Sequence, residues 1–176
     1  MEMLKSLPEL SRRDSRNKNL SLVLPGGEVI KITSIRRLHA IVAQTKLNSN
    51  VPTDVADHFT QAQNLTVYAW FNYTFHSSAQ LLALATLEFA LRRRFKSDRA
   101  MLSKLLARAI DEKLISESLL SSVLAPADSG SLTETIREVL PRLRNGYAHG
   151  SDAANPFSIT CIRLVSVIVN ALFPRQ

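Results

Sequence analysis

Apolar residues recur along this chain with two different periods. Leu20-Ser21-Leu22-Val23-Leu24 and Glu28-Val29-Ile30-Lys31-Ile32 flank Pro25-Gly26-Gly27. Short runs rich in branched residues around a Pro-Gly turn predict a β-hairpin. An isolated hairpin is marginal in water, so this one is expected to pack on helices. From Ser34 onward the period lengthens. Ser34 is placed to cap a short helix through Leu47, with Ile35, Leu38, Ile41 and Val42 on one face. His39 lies in that helix among basic residues and reads as surface decoration. Asn48-Ser49-Asn50-Val51-Pro52 is the one internal boundary. It divides the chain into residues 1–50, an arm with the hairpin and short helix, and residues 51–176, a helical bundle. The predicted class is all-α with a small N-terminal β-hairpin.

After the boundary the chain reads as continuously helical. Thr53 or Asp54 caps a helix towards Leu65, with Val55, Phe59 and Ala62 facing inward. Tyr68-Ala69-Trp70-Phe71-Asn72-Tyr73-Thr74-Phe75-His76 follows. It reads as a core or interface cluster, with a base-stacking platform as the alternative. His58 and His76 are expected to be structural or surface residues. Residues 77–95 are apolar nearly all round, the mark of a central helix. Polar flanks and a polar end argue against a membrane span there, and the last apolar segment, 157–173, is short for one. Glu88 falls inside the central run, and a carboxylate there needs a partner: Arg92 one turn on, or Arg144 from afar. Leu102, Leu105, Leu106, Ala109 and Ile110 form the apolar face of a helix from Met101 to Leu114, and Pro126, Asp128, Ser129 and Gly130 mark a loop. Ser131-Leu132-Thr133-Glu134 has the form of a capping box. The helix it opens carries Ile136, Val139, Leu140 and Leu143 inward, with Pro141 in its interior.

Composition narrows the chemistry. The chain has 176 residues, 45% hydrophobic, with few Gly (5) and Pro (7), which suits one helical domain. Cys161 is the sole cysteine, so no internal disulfide is possible; a buried apolar role and a reducing, cytoplasmic location fit. Residues 1–18 lack the apolar core of a signal peptide and read as a frayed or loosely docked basic arm. No Cys/His cluster and no phosphate-cradling glycine loop is present, so neither metal nor cofactor is expected and an NTPase is disfavoured. The net charge of +7 favours a polyanionic partner. It concentrates in Arg92, Arg93, Arg94, Lys96, Arg99, Lys104 and Arg108, which read as a solvated face or a nucleic-acid footprint.

The stretch that organises the rest is Leu143-Arg144-Asn145-Gly146-Tyr147-Ala148-His149-Gly150. Gly accepts the left-handed conformation that ends many helices, so Asn145-Gly146 predicts a helix stop and a tight corner. On an unbroken helix a five-residue step leaves two side chains about 140° apart; the corner would let Arg144 and His149 converge. A fixed cation beside an imidazole is a site for a phosphate. A helix-end salt bridge is the structural alternative.

Arg144-Asn145-Gly146-Tyr147-Ala148-His149 followed by Gly150, with Leu87-Glu88-Phe89-Ala90-Leu91-Arg92 upstream, resembles the HEPN domain. There an Arg-x4-His motif follows a helix with a Leu-Glu-x-x-Leu-Arg pattern. The likeness covers roughly residues 53–176. It implies a helical bundle, usually homodimeric and often a metal-independent endoribonuclease. It also implies a toxin or phage-defence setting, with an antitoxin protein as a possible partner. Some members are non-catalytic binding modules, which is the alternative reading.

RNA carries its own nucleophile, the 2′-hydroxyl. Its cleavage needs a base, an acid and a cation for the phosphorane. An imidazole serves the first two, so His149 is the candidate acid or base. Arg144 supplies a planar fork for phosphate oxygens. Asn145 is placed to orient His149 or to bind phosphate. Tyr147, Arg92 and Arg93 are candidates for contacting RNA, and Glu88 for structural support. One histidine per motif cannot be acid and base at once, so a twofold dimer with motifs meeting at the axis is expected.

Overall fold

The computed structural model describes residues 4–126, 130–149 and 156–175. Gly150 of the motif, and Asp128 and Ser129 of the expected loop, lie outside the described residues. The hairpin forms as expected: β1 (Ser21–Val23) pairs antiparallel with β2 (Val29–Lys31), Leu22 opposite Ile30. Gly27 closes the turn at φ +82°, the left-handed conformation that a three-residue hairpin loop needs at its last position. Seven helices follow among the described residues. They are α1 (Ile35–Ala43), α2 (Thr53–Tyr68), α3 (Phe75–Phe95), α4 (Leu102–Asp111), α5 (Glu117–Ser121), α6 (Leu132–Ala148) and α7 (Ser158–Leu172).

The central helix is α3, against which α2, α4, α6 and α7 all pack. Its periodic signal is faint because it is wrapped on every side: Ala79, Ala83, Leu84, Leu87, Ala90 and Leu91 are all buried. The small residues let neighbouring backbones approach, and the leucines fill the gaps. Lys96 ends the helix in the left-handed conformation, φ 51°, its N–H returning to the Arg92 carbonyl. Leu20, Leu22, Ile32, Leu38 and Val42 share one buried cluster with the helices that follow. Asn48 and Asn170 hold the two regions together at the expected boundary. Asn48 N–H donates to Asn170 Oδ1 (2.8 Å), Asn48 Nδ2 to the Phe173 carbonyl (2.8 Å), and Asn170 Nδ2 to the Lys46 carbonyl (2.9 Å).

Several expectations need correction: Val139, expected inward on α6, is exposed, and α1 ends at Ala43, short of Leu47. The arm is not frayed: residues 15–19 form a 3-10 turn, and Asp14 and Asn17 are buried against the chain after α2. The helix through the aromatic run is broken between α2 and α3. There Asn72 Oδ1 accepts from Thr74 N–H and Oγ1, a local bond that competes with the helix. The arm meets the opened backbone: Asp14 accepts from Tyr73 N–H, and Asn17 Nδ2 donates to the Ala69 and Trp70 carbonyls. Pro52, not Thr53 or Asp54, occupies the cap position of α2. The start of α6 is capped by Ser131 to Thr133 N–H, but the carboxylate is Glu117 of α5, not Glu134. Glu117 accepts from Leu132 N–H, Thr133 N–H and the Ser131 hydroxyl, and these bonds, that from Leu132 first, lower its carboxyl pKa. Finally, α6 runs unbroken to Ala148, through Asn145 and Gly146.

Candidate functional site

The site is built where the last turns of α6 meet α3. Glu88 sits in the interior of α3, 5% exposed, and a carboxylate there demands cationic partners. It has both that the sequence offers. Arg92 Nη2 stands 2.6 Å from Glu88 Oε1, and Arg144 Nε stands 3.2 Å from Oε2. Arg92 is held further by its Nε bond to the Ala100 carbonyl, 3.1 Å. Two guanidiniums on one carboxylate leave a surplus positive charge. Each arginine side chain keeps about a third of its surface exposed (35% for Arg92, 36% for Arg144). An anion can approach them from solvent while Glu88 holds them from behind.

The unbroken helix changes the geometry of the motif itself. His149 is the capping residue of α6, its N–H bonded to the Asn145 and Gly146 carbonyls at 3.0 and 3.2 Å. A helical path turns Arg144 and His149 about 140° apart around the axis, so no corner brings them together within one chain. His149 and Asn145 are exposed. Asn145 Oδ1 faces Arg144 Nη1 at 3.4 Å, a long contact. Tyr147 points inward: its hydroxyl donates to Oε1 of the buried Gln80 at 2.8 Å.

The basic region divides into engaged and open cations. Arg93 pairs with Asp54 and lies over the Phe89 ring; Arg108 pairs with Glu112 and lies over Phe95. Among the described residues, Arg94, Lys96, Arg99 and Lys104 have no acidic partner, and all four are exposed. Arg142, just before the motif, pairs with Glu138 at 2.6 Å. Among the described residues, no group of three or more His, Cys, Asp or Glu is placed to hold a metal. No helix among them is long and apolar enough to cross a membrane.

Sequence reasoning missed a buried polar network one turn before Gln80. His76 is fully buried, with Nδ1 2.7 Å from Ser158 Oγ and Nε2 3.1 Å from Asn17 Oδ1. Asn17 spends both amide protons on the Ala69 and Trp70 carbonyls, so its Oδ1 is an acceptor. That places the proton of the neutral imidazole on Nε2 and makes Nδ1 the acceptor for Ser158. Burial pushes the His76 pKa down to about 4, against the raising influence of Asp14. The signal for this residue was its position on the face of an otherwise apolar helix; its partners, far off in sequence, were not legible. His58 is exposed beside Phe89, ring centroids 5.5 Å apart. Cys161 is buried and its thiol pKa is raised to about 12, which suits packing and not nucleophilic chemistry.

No family model, no curated protein and no solved structure matches the chain. What stands on the chain's own residues is a mostly helical fold with a two-stranded hairpin, and a cationic site at the junction of α3 and α6.

Proposed function

We propose that this protein is a HEPN-like, metal-independent endoribonuclease whose site is completed by a second copy. The observation that carries the reading is the Glu88 network. It holds Arg144, its side chain about a third exposed to solvent, on the helix that ends in an exposed histidine. Arg144 would bind the scissile phosphate and stabilise the phosphorane; His149 would take or give the proton at the 2′- or 5′-oxygen. The separation of Arg144 and His149 around α6 supports a two-chain site, because a second copy supplies the groups that one helix cannot turn together. An apolar groove of about 650 Å³, lined by Val123, Leu124, Val139, Leu143 and Phe157, lies on α6 beside the motif and offers such a copy an area to bury. A toxin or phage-defence role with a neutralising protein partner is the biological setting this chemistry suits.

The test is incubation of purified protein with single-stranded RNA, with and without chelator, beside His149→Ala. The expected products carry a 2′,3′-cyclic phosphate, chelator has no effect, and DNA binds uncut for want of a 2′-hydroxyl. Loss of a catalytic acid or base commonly costs on the order of 10²–10⁴ in rate, so His149→Ala is expected to leave little activity. Cutting of DNA as fast as RNA would sink the mechanism. The Arg144–Glu88 ion pair also supports a second reading, a non-catalytic RNA-binding module in which Arg144 is structural. Wild-type protein that binds RNA and never cuts it would establish that reading instead.

A further inference from the structure

Two buried side chains of α3 hold the end of α6, where the motif lies, and the start of α7. Tyr147 of the last turn of α6 donates its hydroxyl to Gln80 Oε1, 2.8 Å. Ser158, the first residue of α7, meets His76 Nδ1 at 2.7 Å. His76 and Gln80 are one turn apart on α3 and buried, 0% and 1% exposed. They are also joined to each other, Gln80 Nε2 donating to the His76 carbonyl at 3.2 Å. That bond assigns the Gln80 amide: its nitrogen gives a proton to that carbonyl, so the oxygen faces Tyr147. On the far side, Asn17 of the arm holds the other imidazole nitrogen at 3.1 Å.

We infer that Gln80 is a positioning residue that sets where His149 stands, acting through Tyr147 and touching no substrate, with His76 beside it holding the Gln80 amide and the start of α7. His149 is two residues beyond Tyr147, and its side chain is exposed. The Tyr147 hydroxyl is a polar contact that ties this turn to the core, one turn after the Arg144–Glu88 pair. The Tyr147 hydroxyl belongs to the scaffold. The inference deepens the endoribonuclease reading, and its kinetic consequence rests on that reading; its structural consequence does not.

Gln80→Met, Tyr147→Phe and the double variant test it, with Ser158→Ala as a probe of the other grip. Amide hydrogen exchange reads the anchor directly. The His149 amide is expected to exchange roughly three- to tenfold faster in either single variant, the worth of one net hydrogen bond. Amides of α2 should be unchanged. The double variant should be worse than Gln80→Met by less than the full effect of Tyr147→Phe, because the Tyr147–Gln80 contact is removed by either substitution and Gln80→Met also removes the bond to the His76 carbonyl. Ser158→Ala should loosen the Cys161 amide, which is bonded to the Phe157 carbonyl at 2.9 Å. In RNA cleavage, Tyr147→Phe should lower kcat by a similar factor and leave KM unchanged, since the hydroxyl belongs to the scaffold. His149 exchange and kcat both at wild-type values, or strictly additive effects of the two substitutions, would overturn the inference. If wild-type protein cuts no RNA while exchange responds as stated, the positioning role of Gln80 stands and the endoribonuclease reading alone fails. Tyr147→Phe removes a single oxygen and keeps the test decisive if Gln80→Met does not fold.

Discussion

Glu88 shows how much a single buried carboxylate can organise. Its two oxygens are divided between Arg92 and Arg144. Glu88→Gln keeps the volume and removes the charge, leaving two guanidiniums side by side without a counterion. Breaking a fully buried pair costs about 3–5 kcal/mol. Both arginines keep water on one side, so a loss of about 1–3 kcal/mol is expected, read as a lower midpoint of urea unfolding at unchanged slope. A midpoint within error of wild type would show the network to be ornamental. His76 makes a second residue-scale prediction. Its folded pKa, about 4, lies below its ordinary 6.5, so the unfolded chain binds the proton first. The stability from keeping it neutral is complete above pH 6.5 and is lost as pH falls towards 4, on the order of 3 kcal/mol. Asp14 continues the trend. The Arg16 side chain beside it, first among its causes, holds its carboxyl below the ordinary value of 3.8, so its contribution is lost below that pH. His76→Gln, which keeps polar bonding without a titrating ring, should flatten the slope between pH 4 and 6.5. A slope unchanged in that variant would assign the acid sensitivity elsewhere.

Among the elements, α6 is the one whose course decides what the motif can do. Gly146 suggested a stop, yet the helix continues to Ala148. Packing of α6 on α3, with the Arg144 and Tyr147 contacts to Glu88 and Gln80, outweighs the local preference of one glycine, worth about 1 kcal/mol. Pro141 sits in the interior of the same helix. It cannot donate to the Arg137 carbonyl, and its ring crowds that turn. Pro141→Ala is therefore expected to stabilise the protein by about 1–3 kcal/mol, measured by thermal or urea unfolding. A destabilised variant would mean that the proline's own packing outweighs its helix cost. The hairpin, α1, α4 and α7 were legible because each has one apolar face or a fully apolar run with clear punctuation. The break after α2 was not, since Asn72 inside an aromatic run looks no different from a helical surface residue. What decides it is Asp14 and Asn17, more than fifty residues earlier in the chain. The same reason explains the site. Glu88 with Arg92 and Arg144 was readable from charge within an apolar helix, while the grip of Gln80 on Tyr147 depends on how α3 and α6 register in space.

At the scale of the molecule, the charge of +7 is more than decoration only where cations lack partners. Ion pairing removes Arg92, Arg93 and Arg108 from the count and leaves Arg94, Lys96, Arg99 and Lys104 on the surface following α3. Each phosphate neutralised on a single strand contributes about −0.7 to the slope of log affinity against log salt. Replacing Arg94, Arg99 and Lys104 by Gln is expected to flatten that slope by about two units, measured by fluorescence anisotropy with a labelled RNA at several salt concentrations. An unaltered slope would place the footprint elsewhere, with the arm's Arg12 the next cation to test.

The asparagine clasp has a consequence for how the protein is made. Asn48 waits for Asn170 and Phe173, and α3 is enclosed only when α7 arrives. A ribosome therefore exposes the hairpin, α1 and the leucine-rich α3 for the whole time taken to synthesise α4 to α6. Contacts this distant in sequence also slow closure of the chain once it is free. Apolar surface exposed for that time is prone to aggregate. On the endoribonuclease reading proposed above, Arg144 and His149 would be held in place only once α7 has packed on α3.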